Sequence, residues 1–197
     1  MVSAKPFFRA DHVGSLLRPP ELLSARERFT KGEIDAADLR AVEDAAISDA
    51  VALQEETGLQ IVTDGELRRE NWWIDFISRL EGLRIEEGQN PSFAGTQARY
   101  VPKNVVTREK LHWPGPILRR DFTFVADVAS TTAKITLPSP SRIHFHGGRN
   151  VVSRDAYPDI DAFFEDVASV YRREIAALEE AGCRYIQIDD PILAYFV

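Results

Sequence analysis

Three short segments of the chain gather residue types that can do chemistry. In Val13-Gly14-Ser15 the glycine lets the backbone turn closely, and exposed N–H groups at such a turn can hold a carboxylate; a plain strand-to-loop turn reads the same letters. Asp64-Gly65-Glu66 sets two carboxylates around a flexible residue, able to bind an ammonium group or act as a general base. The competing reading is an Asp-Gly turn with Glu66 in the first turn of a following helix, where the helix dipole favours it, and with Arg68 and Arg69 pairing the acids. Asp189-Asp190-Pro191 closes an otherwise apolar run. Two adjacent acids at the mouth of a buried strand are costly without partners, and Pro191 disfavours a helical Asp190; a loop of solvated acids is the alternative.

Other candidates fit bland roles better. His144-Phe145-His146 would put both imidazoles on one face if extended, a possible metal pair. No third ligand stands nearby, and a polar loop edge suits it better. Cys183 opens a strand at the rim opposite the acids and reads as a small core residue. Trp72, Trp73 and Phe76 follow the acid turn at helical spacing and read as core.

These segments need elements to position them. Leu39, Val42, Ala46, Ala50 and Leu53 mark one face of a helix over residues 35–56, capped by Asp35 and ended at Gly58. The short β-rich run at residues 59–63 leads into Asp64. Ile160, Phe163, Val167, Val170, Glu174 and Leu178 mark a second helix, with one polar residue in its stripe, stopping at Gly182. Residues 185–188 then read as a buried strand leading into Asp189. Helix, Glu-Glu-x-Gly, strand and acids thus occur twice, a loose repeat. Further strands are expected at residues 7–15 and 133–137. Residues 86–116 are rich in Gly, Pro, Asn and Gln and too long for a plain connector; with alternation at 100–106 and 121–125 they predict an inserted β-hairpin, the insertion spanning about 86–126. Strands alternating with helices imply a parallel sheet in an α/β fold. Strand ends that carry the polar residues suit a (β/α)8 barrel of the TIM type, in which chemistry sits at the C-terminal ends of the strands. A whole barrel takes about 250 residues, so these 197 are expected to form one N-terminal half, about four βα units.

Composition bounds the rest. Apolar residues make up 44% and charged residues 28%, enough for a core without disulfides. A net charge of −7 from 24 basic and 31 acidic side chains gives no broad footprint for nucleic acid or an anionic membrane. A single cysteine excludes a disulfide framework and a Cys-rich zinc site. No apolar run approaches the roughly 20 residues of a membrane span, and the first ten residues do not read as a signal peptide. A cytoplasmic setting is expected.

Four motifs in order, Asp11-His12-Val13-Gly14-Ser15-Leu16-Leu17-Arg18-Pro19, Thr63-Asp64-Gly65-Glu66, Lys134-Ile135-Thr136-Leu137-Pro138-Ser139-Pro140 and Ile186-Gln187-Ile188-Asp189-Asp190-Pro191, resemble the catalytic domain of cobalamin-independent methionine synthases, above all its shorter single-domain bacterial relatives. The resemblance implies a (β/α)8 barrel and transfer of a methyl group from 5-methyltetrahydrofolate, or a related donor, to the thiol of homocysteine, without cobalamin. It implies that Val13, Gly14 and Ser15 hold the amino acid's carboxylate, that Glu66 and Asp189 hold its ammonium group, and that Arg99 and Tyr100 lie near the pterin. The family's zinc ligands, a His-x-Cys pair, a Glu and a further Cys, fall beyond the Ile-Gln-Ile-Asp motif, so the resemblance gives this chain no metal ligand and no catalytic residue. The expected partners are a small thiol amino acid, a methyl donor, and a second copy or a C-terminal half. The alternatives are another zinc-dependent thiol alkyltransferase, of the coenzyme M type, and a non-catalytic binding or assembly subunit.

Overall fold

The computed structural model describes residues 11–87 and 103–196. Arg99 and Tyr100, and the part of the expected first strand before residue 11, lie outside them. The chain divides into two compact units: Met1–Trp72, Leu118–Thr136 and Leu178–Gln187 form one; Trp73–Ile117, Leu137–Ala177 and Ile188–Val197 form the other.

In the first unit, α1 (Pro20–Thr30) starts at a Pro-Pro step whose fixed φ suits a helix N-terminus. Helix α2 (Ala36–Glu56) starts where the sequence places it: Asp35 accepts the N–H groups of Ala37 and Asp38, and Asp38 accepts that of Asp35. Its buried face is Glu43, Ala46, Ile47, Ala50, Val51 and Gln54, rotated from the apolar stripe expected, and Leu53 is exposed. The rotation follows from Gln54, whose amide clamps the main chain of Thr63, donating to its O at 2.9 Å and accepting its N–H at 3.0 Å.

Strand β1 (Ile61–Val62) runs parallel to the strand expected at 133–137, with Ile61 opposite Thr132 and Val62 opposite Ala133. That strand divides at Lys134 into β4 (Thr132–Ala133) and β5 (Ile135–Pro138). The division has a simple cause: Lys134 N donates to Val62 O at 2.8 Å, and Ile135 N to Tyr185 O at 3.2 Å. Successive N–H groups of a central strand go to opposite neighbours. Residues 121–125, expected to alternate as a strand, instead lie in α4 (Arg119–Val128). Phe122 and Val125 bury one helical face, with Leu118 just before it, and five alternating residues cannot tell the two periods apart. Asp121 is tied by Arg40 at 2.7 Å and Arg68 at 3.2 Å.

The second unit contains α3 (Ile74–Ile77) and a β-hairpin whose strands differ from those expected: the described part of the run at 100–106 lies in one strand, but its partner is residues 81–87 and not 121–125. Strands β2 (Glu81–Glu87) and β3 (Lys103–His112) pair antiparallel, with a register shift between Glu81 and Leu83. Trp73 and Phe76 are core, as expected, whereas Trp72 is only half-buried. Helix α5 (Ile160–Glu180) buries Phe163, Val167, Val170 and Tyr171. Strand β6 (Ile186–Asp189) pairs with β5. In this unit Ser139 N donates to Asp189 O at 2.8 Å, four residues on from the Ile135–Tyr185 bond in both strands, the advance of a parallel pair. The expectation that residues 185–188 are buried fails: Ile188 is 48% exposed, because among the described residues β6 has a strand neighbour on one edge only. Residues 11–15, the described end of the expected first strand, belong to no strand; side chains, not a ladder, take the carbonyls of His12 and Val13. Among the described residues no helix is long and apolar enough to cross a membrane.

Candidate functional site

Asp64-Gly65-Glu66 forms a turn and starts no helix. Leu67 N returns to Asp64 O at 3.2 Å, while Gly65 (φ 61°) and Glu66 (φ 56°) both lie in the left-handed region. Two such residues inside a 4→1 bond have the φ signs of a type I′ turn. Glu66 is the only described residue other than glycine with positive φ, a conformation that costs about 1–2 kcal/mol and must be held by its surroundings. The holders are explicit. Asp64 Oδ1 accepts the N–H of Glu66 at 2.9 Å, and Thr63 Oγ1 that of Gly65 at 3.1 Å. Gly65 O accepts the N–H of Leu16 at 2.9 Å, and the Arg18 guanidinium donates to the carbonyls of Leu16, Glu66 and Arg69.

The Glu66 side chain is 3% exposed and is aimed at the Val13-Gly14-Ser15 loop. Ser15 Oγ donates to Glu66 Oε2. Oε1 has only long contacts among the described residues, Thr136 Oγ1 at 3.4 Å and Arg69 Nη1 at 3.5 Å. Arg69 is buried too and spends its short bond on Thr136 O, at 2.8 Å, so it neutralises Glu66 at a distance without capping it. Arg68 does not join the turn; it pairs with Glu43, Asp44 and Asp121, and burial still pushes the Glu43 carboxyl up. A Cβ on Gly14 would lie 3.4 Å from Glu66 Oε1, so the glycine leaves that oxygen free of side-chain contact from the facing loop. The arrangement is a buried carboxylate with one oxygen held and the other without a short partner among the described residues, beside a loop of main-chain amides. It suits a small cation that also bears an anionic group.

The structure thus brings Val13, Gly14, Ser15 and Glu66 together. Asp189 belongs to the second unit, at the end of β6, where its carbonyl accepts Ser139 N; beside it Asp190 Oδ1 accepts Ser141 Oγ at 3.1 Å. Sequence reasoning missed Lys134, Gln187 and Tyr185. The Lys134 side chain is wholly buried; its Nζ meets Asp11 Oδ1 at 2.6 Å and Gln187 Oε1 at 2.8 Å and donates to His12 O. Gln187 Nε2 donates to Val13 O at 2.7 Å, and Tyr185 OH to Asp11 Oδ2 at 3.1 Å, a bond that pushes the Tyr185 phenol up. The signal that could have found them is a lysine in the middle of an apolar β-run, which must find partners when buried.

The described residues do not fit a zinc ion. No three His, Cys, Asp or Glu converge among them. Cys183 is buried, its Sγ against Tyr185 O, and burial pushes the thiol up, away from the thiolate a zinc ligand must be. His144 and His146 sit in a turn, His144 edge-on to Phe163 and Phe164 and His146 edge-on to Phe145.

Helices, parallel strand pairs and an acid turn define an α/β protein, and solved structures share its fold. A Listeria monocytogenes protein, provisionally assigned as a vitamin-B12 independent methionine synthase, superposes with a TM-score of 0.77 at 35% identity, over 95% of this chain and 53% of that one. The family model of the cobalamin-independent synthase catalytic domain matches residues 8–196. The chain belongs to the cobalamin-independent methionine synthase family. YxjG, an uncharacterized protein of Bacillus subtilis, is 39% identical over 198 residues, 98% of this chain and 50% of its own length. A methionine synthase of Pyrococcus furiosus is 27% identical over 192 residues, 95% of this chain and 53% of its own length. The chain spans about half the length of these curated relatives.

Proposed function

We propose that the chain supplies the amino-acid-binding part of a methyltransferase of the methionine synthase type, acting on homocysteine with 5-methyltetrahydrofolate or a related donor, and that its strands are part of a (β/α)8 barrel. In the reaction the methyl carbon leaves the donor nitrogen and bonds to the thiolate sulfur; the thiol proton is lost and the donor nitrogen gains one. The chain's own residues bind and orient the acceptor. Glu66 holds the α-ammonium group, and the amides of Val13 and Gly14 hold the α-carboxylate. The family resemblance gives Asp189 the same duty as Glu66. The observation that carries the reading is Glu66 itself, a buried carboxylate with Oε2 held by Ser15 and Oε1 without a short partner among the described residues. This also weighs against a coenzyme M acceptor, which has no ammonium group for that acid to meet.

The test is direct titration of the chain with L-homocysteine. Glu66→Gln keeps shape and removes charge. The loss of one charge-assisted bond, about 1.5–3 kcal/mol, is a roughly 10- to 150-fold weaker Kd. Donor binding should hold. Unchanged homocysteine affinity in Glu66→Gln sinks the reading.

A further inference from the structure

We infer that Lys134 and Gln187 are positioning residues that aim the main-chain N–H groups of Val13 and Gly14 at the substrate carboxylate; this rests on the amino-acid reading above. In a trans peptide the carbonyl of one residue and the N–H of the next point in opposite directions. Lys134 takes the carbonyl of His12, which directs the N–H of Val13 away from Lys134. Gln187 takes the carbonyl of Val13, which directs the N–H of Gly14 away from Gln187. The two donors are themselves bonded, Nζ to Oε1 at 2.8 Å, so they occupy one neighbourhood. Successive carbonyls in an ordinary extended chain alternate sides; here two in a row are drawn to the same side, and two successive N–H groups emerge on the other. Paired amides of this kind make an anion-binding concavity. Among the described residues neither N–H has a hydrogen-bond acceptor.

The ammonium chemistry fits a clamp. Lys134 has three protons, and three acceptors surround it: Asp11 Oδ1, His12 O and Gln187 Oε1. Asp11 supplies the charge that lets the cation stay buried, and Tyr185 fixes Asp11 in turn. The loop at residues 11–15 has no ladder of its own, so its orientation depends on these side chains and on the Leu16–Gly65 bond.

The test separates carboxylate recognition from everything else at the site. The full chain is titrated with L-homocysteine and with 3-aminopropane-1-thiol, the same molecule lacking the carboxylate. The wild type should prefer homocysteine by about tenfold or more, the value of one charge-assisted bond. Lys134→Met removes the hub. Gln187→Glu keeps the contact to Lys134 but has no proton for Val13 O, and it stands in should Lys134→Met not fold. In each folded variant homocysteine affinity should fall toward that of the analogue, while analogue affinity stays within about twofold. If the wild type shows the preference and the variants keep it, the clamp is wrong and the ammonium reading stands. If the wild type shows no preference, the carboxylate assignment falls and the clamp with it; Glu66→Gln then decides the ammonium reading alone.

Discussion

Glu174 interrupts the apolar stripe of α5, yet it is wholly buried. Its carboxylate takes the indole N–H of Trp113 at 2.7 Å and the main-chain N–H of Ile117 at 3.0 and 3.2 Å. Residues 113–117 have no helix or strand, so this one side chain ties that connector to α5. Glu174→Leu strands two donors, the Ile117 N–H in a buried site and the Trp113 indole N–H in a partly buried one. Each stranded donor costs about 1–3 kcal/mol, and the leucine's new apolar contacts return about 1 kcal/mol. The expected net loss is about 3 kcal/mol, a large share of the about 5–15 kcal/mol typical of a folded domain. Glu174→Gln retains one oxygen but sets an NH2 against the same donors, and should lose about 1–2 kcal/mol. Equilibrium urea unfolding followed by tryptophan emission gives both values. A Glu174→Leu midpoint equal to that of the wild type, at equal slope, would mean that water or the loop itself satisfies those donors and that Glu174 is not what fastens residues 113–117.

Two further outcomes are expected. Gly82 has φ 88°, and a Cβ there would sit 2.4 Å from the carbonyl oxygen of Lys110; Gly82→Ala should cost more than about 2 kcal/mol, since left-handed strain and a main-chain clash add, and an unchanged urea midpoint contradicts the bulge geometry. Burial holds the imidazoles of His144 and His146 below their ordinary range, with Arg142 adding to it for His146. The unfolded chain therefore takes up protons first as pH falls through about 6.5, so stability drops from pH 7.5 toward about 5.5. The His144→Phe, His146→Phe double variant should lose less over that window, and an equal loss counts against the assignment.

What the sequence makes legible follows how locally each signal is encoded. The Asp35 cap, the stops at Gly58 and Gly182, the α5 stripe and the Asp-Gly turn are written in neighbouring residues, and each is found in the structure. Helix α4 reads as a strand because Phe122, Phe124 and the residues between them satisfy a period of two over too short a window. Helix α1 escapes the periodicity although Pro19-Pro20-Glu21 marks its start, because residues 20–30 offer little apolar face. The rotation of α2 depends on Gln54 meeting Thr63, a contact no periodicity carries. At the site the acids are visible as letters. Their geometry is not: Ser15 meets Glu66 from 51 positions away, Arg18 reaches the Glu66 carbonyl from 48, and the Lys134–Gln187 clamp joins residues up to 174 apart.

The turn explains why Glu66 is left-handed rather than helical. In the first turn of a helix its carboxylate would choose among solvated rotamers near the helix N-terminus. In the type I′ turn the same side chain is buried against Ser15, and the strain at its backbone is offset by Asp64 Oδ1, Thr63 Oγ1 and, one step further back, the Gln54 amide. Asp64 thus serves as the support that makes the Glu66 conformation tenable, although both look alike as candidate acids in the sequence. Gly14 completes the division of labour from the facing loop, since any side chain there would meet the Glu66 oxygen that has no short partner. A buried acid, its turn, the facing glycine and the clamp on the glycine's own loop are therefore one connected unit, spread over four sequence segments.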